Sequence, residues 1–159
     1  MKRKTVIITV LVLAIAAGLC AWQRLASEQY LVISDYKTQT VYFKTSVKAG
    51  DRLFFGWVHS LEKIPWHEYY HITDKDSLIL ETISFPAFGA GIPADRGKKV
   101  RIENGLIYME EIDQEFKQFD WINSHFATRD IKLNDKLLLT GKDLPEHTRL
   151  ILKIKRGVF

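Results

Sequence analysis

The fold class is decided by residues 99–112, which read KVRIENGLIYMEEI. The pair Asn104-Gly105 lies between two runs rich in Val, Ile and Tyr, and such a pair tolerates the positive φ angles that a type I′ turn requires. Two-residue turns of this type join antiparallel strands. We therefore predict that Lys99–Ile102 pairs antiparallel with Leu106–Ile112.

The same pattern continues on both sides of this hairpin. Runs of about four to eight residues rich in β-branched and aromatic side chains alternate with turn-forming residues. The pattern predicts an all-β fold, either an antiparallel β-sandwich or a partly open barrel. The further strands predicted are Tyr30–Ser34, Thr40–Thr45, Arg52–His59, His67–Thr73, Ser77–Phe85, Lys136–Thr140 and Thr148–Lys155.

One segment departs from the strand pattern. Phe116, Phe119, Ile122 and Phe126 follow helical spacing more nearly than alternation. We therefore predict a short helix within residues 115–126.

The N-terminal segment is typical of a membrane anchor. Thr5–Trp22 is a run of 18 uncharged residues, and a helix of this length extends roughly 27 Å, close to the hydrocarbon thickness of a bilayer. Lys2, Arg3 and Lys4 precede the run, and Arg24 follows it. The positive-inside rule then predicts a single-pass membrane protein with a cytoplasmic N-terminus and an extracytoplasmic C-terminal domain.

Two alternatives to an uncleaved anchor remain open. Ala16-Ala17-Gly18 offers small residues for signal-peptide cleavage, which would release a secreted protein. Lipid attachment at Cys20 is disfavoured because Leu19, which precedes it, is large. In each case we expect residues 1–28 to form the anchor or signal segment and residues 29–159 to form one extracytoplasmic β domain.

Charge and cysteine content exclude several classes of function. The formal net charge is +4, and Lys2, Arg3 and Lys4 supply three of these charges, so the domain has no large basic excess for nucleic-acid binding. Cys20 is the single cysteine and lies in the apolar run, which leaves the domain without a disulfide, a thiolate metal cluster or a cysteine nucleophile. We expect neither a nucleic-acid partner nor a cofactor.

Polar and aromatic residues are most concentrated in residues 56–71, GWVHSLEKIPWHEYYH. Strand alternation places His67 and His71 on one face, about 13 Å apart, which is too far for both to bind one ion. A metal site would therefore need His59 or Glu62 from one side of the turn and Glu68 or His67 from the other. The simpler alternative is a hydrogen bond between His59 and Glu68, with the two tryptophans packed together.

The adjacent His59 and Ser60 do not form a convincing hydrolase pair. Neighbouring strand residues point to opposite faces, so the histidine is not placed to act as base for the serine. The sequence also lacks a Gly-x-Ser-x-Gly nucleophile motif. We predict no catalytic residues, and an enzyme is not the favoured interpretation.

A second segment of interest is Phe85–Asp95, which reads FPAFGAGIPAD and is typical of a rigid loop. Gly89 and Gly91 permit close backbone approach and can form a concavity of N–H groups that binds an anion. The alternative is a crossover between two sheets in which Phe88 and Ile92 close the end of the core.

These two segments together, VHSLEKIPWHE at 58–68 and FGAGIP at 88–93, resemble the bacterial family known as domain of unknown function 1850 (DUF1850). The Glu103-Asn104-Gly105 turn follows them at the expected place, and the likeness covers roughly Tyr30 to the C-terminus. The resemblance implies a small exported or membrane-anchored protein, often encoded beside tripartite ATP-independent (TRAP) transporters of the TAXI type. It implies an accessory role and supplies no catalytic residues.

The leading hypothesis is a non-enzymatic accessory that contacts a TRAP transporter permease or its solute-binding protein. The alternative is a small-ligand or metal-binding domain, which convergence of the two segments in space would favour. A hydrolase and a purely structural envelope protein are less favoured. The residues predicted to form the ligand or partner surface are His59, Ser60, Glu62, Pro65, Glu68, Phe88, Gly89, Gly91 and Pro93.

Overall fold

A computed structural model describes residues 13, 15, 18, 22, 27–89, 91, 93 and 95–157 of the chain. The predicted anchor at residues 5–22 lies largely outside the described residues. Among the residues that are described, no helix has the length and apolar character needed to cross a membrane.

From Gln29 to Gly157, the described residues form β-strands, the turns and loops that connect them, and one short 3₁₀ turn at Gly141–Asp143. The strands are β1 (Gln29–Asp35), β2 (Val41–Val47), β3 (Arg52–Val58), β4 (Pro65–Ile72), β5 (Leu78–Phe85), β6 (Lys99–Glu103), β7 (Leu106–Glu110), β8 (Gln114–Phe116), β9 (Gln118–Ile122), β10 (Thr128–Leu133), β11 (Lys136–Thr140) and β12 (Arg149–Arg156).

The strands form two antiparallel sheets. The small sheet has the order β2-β1-β12-β9, and the large sheet has the order β11-β10-β3-β4-β5-β7-β6, with β8 paired to β5. The predicted all-β fold is therefore confirmed as two sheets, and no closed barrel forms in the described part of the chain. The core between the sheets contains the fully buried side chains of Leu31, Ile33, Leu53, Ile83, Ile131, Leu150 and Leu152.

The predicted hairpin is confirmed. Glu103 pairs with Leu106 across the turn, and the central residues Asn104 and Gly105 have φ angles of 50° and 75°. Both angles lie in the region that a type I′ turn requires. The other strands predicted from the pattern are also present, with ends that differ by two residues at most.

The helix predicted within residues 115–126 is wrong, because this segment contains part of β8 and the whole of β9. Along β9, Phe119 and Trp121 point inward and their rings lie 5.3 and 5.1 Å from that of Phe55. Ile122 and Phe126, which contributed to the helical spacing, are 69% and 65% exposed. Pairing with β12 and burial of alternate aromatic rings therefore outweigh the local spacing.

Candidate functional site

The turn between β3 and β4 is held by its own backbone. The His59 N–H donates to the Ile64 carbonyl at 2.8 Å, and the Lys63 N–H donates to the His59 carbonyl at 2.9 Å. The Glu62 N–H donates to His59 Nδ1 at 3.3 Å, so this ring nitrogen acts as an acceptor. Pro65 is the first residue of β4, a position where proline is tolerated in a sheet.

The loop after β5 lies against this turn. A Cβ atom at Gly89 would stand 2.6 Å from Glu62 Cδ, and one at Gly91 would stand 3.7 Å from His59 Cε1. Gly91 also has a φ of 78°, which favours glycine. The two segments identified in the sequence therefore converge, and the absence of a side chain at Gly89 permits its close approach to Glu62.

The remaining predicted residues of these segments are spread around the contact. Ser60 is exposed on the turn, and Pro93 is half-buried in the loop. Phe88 is 55% exposed, with its ring centroid 5.6 Å from that of Phe85. The structure thus brings His59 and Glu62 against the two glycines and leaves Ser60 facing solvent.

His59 connects the turn to a column of aromatic rings. Its ring centroid lies 5.7 Å from those of Trp57 and Trp66. Trp66 in turn stacks on Phe85 at 5.1 Å with an interplanar angle of 13°. The side chain of His59 is therefore part of a packed aromatic layer at the end of the large sheet.

Glu68 lies on the inner face of β4, next to the same layer. Its Oε1 accepts from the Trp66 indole N–H at 3.1 Å and, over a longer contact of 3.4 Å, from the Trp57 indole N–H. Its Oε2 accepts from the Tyr70 hydroxyl at 2.6 Å. The expected hydrogen bond between His59 and Glu68 is therefore replaced by bonds to two indoles and a phenol.

The opposite face of β4 carries His67, as the alternation predicts. Its Nδ1 lies 3.2 Å from Ser84 Oγ, and its ring lies 5.3 Å from that of Phe54. Burial lowers the pKa of His67, and the positive charge of Lys132 lowers it further. Because the sheet separates His67 from Glu68, these two residues cannot contribute to one site.

The electrostatics of Glu68 are set by its burial. Removal from water raises the pKa of its carboxyl, while the hydrogen bonds from Tyr70, Trp57 and Trp66 and the charge of Arg96 act in the opposite direction. The pKa of Tyr70 is raised well above its ordinary value, first by burial and then by the neighbouring Glu68 carboxylate. Glu68 is thus half-buried, and its carboxyl group is partly removed from water and accepts from three neutral donors.

Glu68 lines a cleft of about 460 Å³ between the inner face of the large sheet and β9, the edge strand of the small sheet. The walls are aromatic, and the Tyr70 and Phe119 rings stack at 5.4 Å. The aromatic residues that line the cleft are Phe55, Trp57, Tyr70, Phe116, Phe119 and Trp121.

A few polar groups join Glu68 in this cleft. The Arg96 guanidinium donates to Gln114 Oε1, and Asp120 accepts from Arg149 Nε at 2.7 Å. The indole N–H of Trp121 is buried and has no hydrogen-bond partner among the described residues. The cleft therefore combines an apolar lining with a small number of polar contacts.

Of the residues predicted from the sequence, Glu68 lines this cleft, whereas the aromatic walls and Arg96 were missed. One feature of the sequence indicated part of the cleft. Alternation along β4 directs Trp66, Glu68 and Tyr70 to one face, and an acidic side chain is unusual on a face that packs against the core. The contribution of β9 was hidden because residues 115–126 were predicted to be helical.

Metal ligands are not grouped in the described part of the chain. No cluster of three or more His, Cys, Asp or Glu side chains there has the arrangement needed to hold an ion. The imidazole of His59 contacts aromatic rings and the Glu62 backbone instead.

Comparison with known proteins gives one match. A family model described as "Domain of unknown function (DUF1850)" matches residues 53–138, more than half of the chain. This range includes β3 except for Arg52, the whole of β4 to β10, the converging turn and loop, and all of the residues that line the cleft. No curated protein and no solved structure matches the chain significantly.

Proposed function

The chain belongs to the DUF1850 family of domains of unknown function, and from its geometry we propose that the domain binds a small organic molecule in the cleft between its two sheets. The observation that supports this most directly is the Glu68 carboxyl, which faces an aromatic cleft of about 460 Å³. Ligand sites typically occupy roughly 300–1,000 Å³ and combine apolar walls with a few polar groups.

Burial of an acidic group in such a cleft favours a functional role for it. A desolvated carboxylate costs free energy unless it is paired, and groups with perturbed pKa values are concentrated at functional sites. An apolar side chain at residue 68 would fill the same position without that cost. A ligand that contacts Glu68 explains why an acid is found there.

We infer that the site binds its ligand without transforming it. Three donors hold the Glu68 carboxylate, which favours a fixed acceptor over a group that exchanges protons. His59 packs against Trp57 and Trp66 and does not line the cleft. This arrangement supports a non-enzymatic function.

A thermal-shift screen of the full-length chain in mild detergent tests this proposal with a library of aromatic and aliphatic fragments. Ala127→Phe places a ring in the cleft, which Ala127 lines, and Ala87→Phe makes the same change at an exposed loop residue. We expect fragments to raise the unfolding temperature of the wild type and Ala87→Phe, and to have little effect on a folded Ala127→Phe. The proposal would be contradicted if the fragments stabilised the two variants equally, or if they stabilised none of the three proteins.

A second candidate function is docking to a transporter, and exposed apolar side chains favour it. Leu61 on the turn is 65% exposed, and Phe88 on the neighbouring loop is 55% exposed. We propose that residues 5–22 anchor the domain on the outer side of the cell membrane, and that this pair contacts a TRAP transporter permease or solute-binding protein. The apolar, positively flanked N-terminus and the family resemblance support this context.

A pull-down from gently solubilised membranes separates docking from ligand binding. The bait is the full-length chain, compared with a Leu61→Asp, Phe88→Asp double variant and with the cleft variant Ala127→Phe as a control. Docking predicts that a permease or solute-binding protein is recovered with the wild type and with Ala127→Phe, and lost with the double variant. Equal recovery with all three baits, or recovery of neither partner, would contradict it.

A further inference from the structure

We propose that the ligand of this cleft is an organic cation, an amine whose ammonium group pairs with Glu68 and whose apolar body lies between the aromatic walls. This inference rests on the proposed ligand-binding function and names the chemical class of the ligand. It is carried by the acceptor geometry at Glu68, by the charges around it and by the rings that face it.

The first step is the hydrogen-bonding capacity of the Glu68 carboxylate. Its two oxygens together offer about four acceptor positions. Trp57 and Trp66 both donate to Oε1, whereas Tyr70 is the donor at Oε2. Among the described residues, one acceptor position at Oε2 therefore has no donor, and an ammonium N–H can occupy it.

The second step is the charge balance. The three donors to Glu68 are neutral, so they stabilise the carboxylate without cancelling its charge. Within the described residues, no basic side chain makes an ion pair with Glu68. A cationic ligand would supply the missing partner in a desolvated site, where a paired charge is far less costly than an isolated one.

The third step is the aromatic lining. The face of an aromatic ring attracts a cation, and the attraction is larger where water is excluded. The rings of Trp57, Tyr70, Phe119 and Trp121 all line the cleft. The same walls that bury an apolar body therefore also favour a positive charge next to Glu68.

Arg96 presents the main argument for the opposite charge, since a guanidinium at the cleft could bind an anionic ligand. Its guanidinium already donates to Gln114, and it lowers the pKa of Glu68 through its charge. Asp120, also at the cleft, is paired with Arg149 at 2.7 Å. Neither Arg96 nor Glu68 makes an ion pair among the described residues. Of these two charges, the Glu68 carboxylate is the one that the aromatic side chains of Trp57, Trp66 and Tyr70 hold, and these surroundings favour a cation as its partner.

Three phenylalkyl probes of similar size test the ligand class: 2-phenylethylammonium, 3-phenylpropanol and 3-phenylpropionate. Binding is followed by NMR of the indole N–H signals of the ¹⁵N-labelled full-length chain in mild detergent, since Trp57 and Trp121 line the cleft. We expect the ammonium to bind in the millimolar range and at least tenfold more tightly than the carboxylate. Equal affinities, or tighter binding of the carboxylate, would overturn the inference while leaving the ligand-binding function intact.

Failure of all three probes to give saturable shifts would also overturn the inference. The thermal-shift screen then distinguishes a cleft that binds other molecules from one that binds none, so the failure of this inference and the failure of the proposed function are separable.

The variant Glu68→Gln tests the role of the charge. Glutamine keeps an oxygen that accepts from the indoles and provides an amide N–H that donates to the Tyr70 oxygen. We expect it to weaken the ammonium probe at least tenfold and the alcohol less than twofold. Glu81→Gln, at an exposed residue paired with His71, is the matched control. An equal loss for the two probes would show that Glu68 acts through packing alone.

Wild-type protein provides a second measurement that does not depend on a variant folding. Because burial raises the pKa of Glu68, a cation binds best after the carboxyl loses its proton. Affinity for 2-phenylethylammonium is therefore expected to rise between pH 5 and pH 8, with release of a proton on binding. Affinity that falls over this range would contradict the assignment.

Discussion

Deleting one oxygen atom in Tyr70→Phe tests how Glu68 is stabilised. The Tyr70 hydroxyl donates to Glu68 Oε2 at 2.6 Å, and the residue is 4% exposed. Its ring stacks on Phe119 at 5.4 Å with an interplanar angle of 13°, a contact that phenylalanine preserves. The variant therefore isolates the hydroxyl and leaves the aromatic packing in place.

The size of the loss depends on the charge of the acceptor. A hydrogen bond to an ionised group contributes about 1.5–3 kcal/mol, and one between neutral groups about 0.5–1.5 kcal/mol. Burial raises the pKa of Glu68, whereas the Tyr70 bond lowers it, so the variant raises this pKa further. The free energy of unfolding falls as pH rises from the unfolded-state pKa through the higher folded-state pKa. Because the folded-state pKa of Glu68 is higher in Tyr70→Phe, the free energy of unfolding of this variant must fall by more over the same pH range than that of the wild type.

Urea unfolding of the full-length chain at pH 5 and pH 8, followed by tryptophan fluorescence, measures this effect. We expect the variant to lose about 1.5–3 kcal/mol at pH 8 and less at pH 5. Tyr42→Phe, at a tyrosine that is 41% exposed, is the control and should change stability by less than about 0.5 kcal/mol. A loss that is equal at both pH values, or larger at pH 5, would refute the reasoning.

Two further substitutions test the loops that support the fold. Asn123 is fully buried, and its amide Nδ2 lies 3.0–3.2 Å from three carbonyl oxygens within residues 141–145. Asn123→Ala should lower the free energy of unfolding, measured by chemical denaturation, by about 2–3 kcal/mol. A loss below about 0.5 kcal/mol would show that water replaces the amide. Gly105 has a φ of 75° and open space around it. Gly105→Ala should therefore lower the free energy of unfolding by about 1–2 kcal/mol through backbone strain alone. An unchanged melting temperature would contradict this prediction.

Local sequence determined most of the strands and the hairpin at Asn104-Gly105. Alternation along a strand depends on residues two apart, and the turn depends on the backbone freedom of two adjacent residues. Strand alternation likewise predicted that Glu68 lies on the face of β4 that it shares with Trp66 and Tyr70. These features could be predicted because each is specified within a few residues of sequence.

Tertiary structure alone decided the strands that the pattern missed. β10, Thr128–Leu133, carries Arg129, Asp130 and Lys132 and has little of the composition of a strand. It forms because β3 and β11 supply hydrogen-bond partners on both sides and because Ile131 is fully buried. Its conformation is thus set by its neighbours more than by its own residues.

The cleft likewise depends on which strand ends the small sheet. Phe119 and Trp121 face Glu68 across the cleft because β9 pairs with β12 at the edge of that sheet. The residues of the two sides are far apart in sequence, and no local periodicity relates them. The sequence therefore determined the carboxylate and its face of the strand, and only the packing of the two sheets decided what lies opposite it.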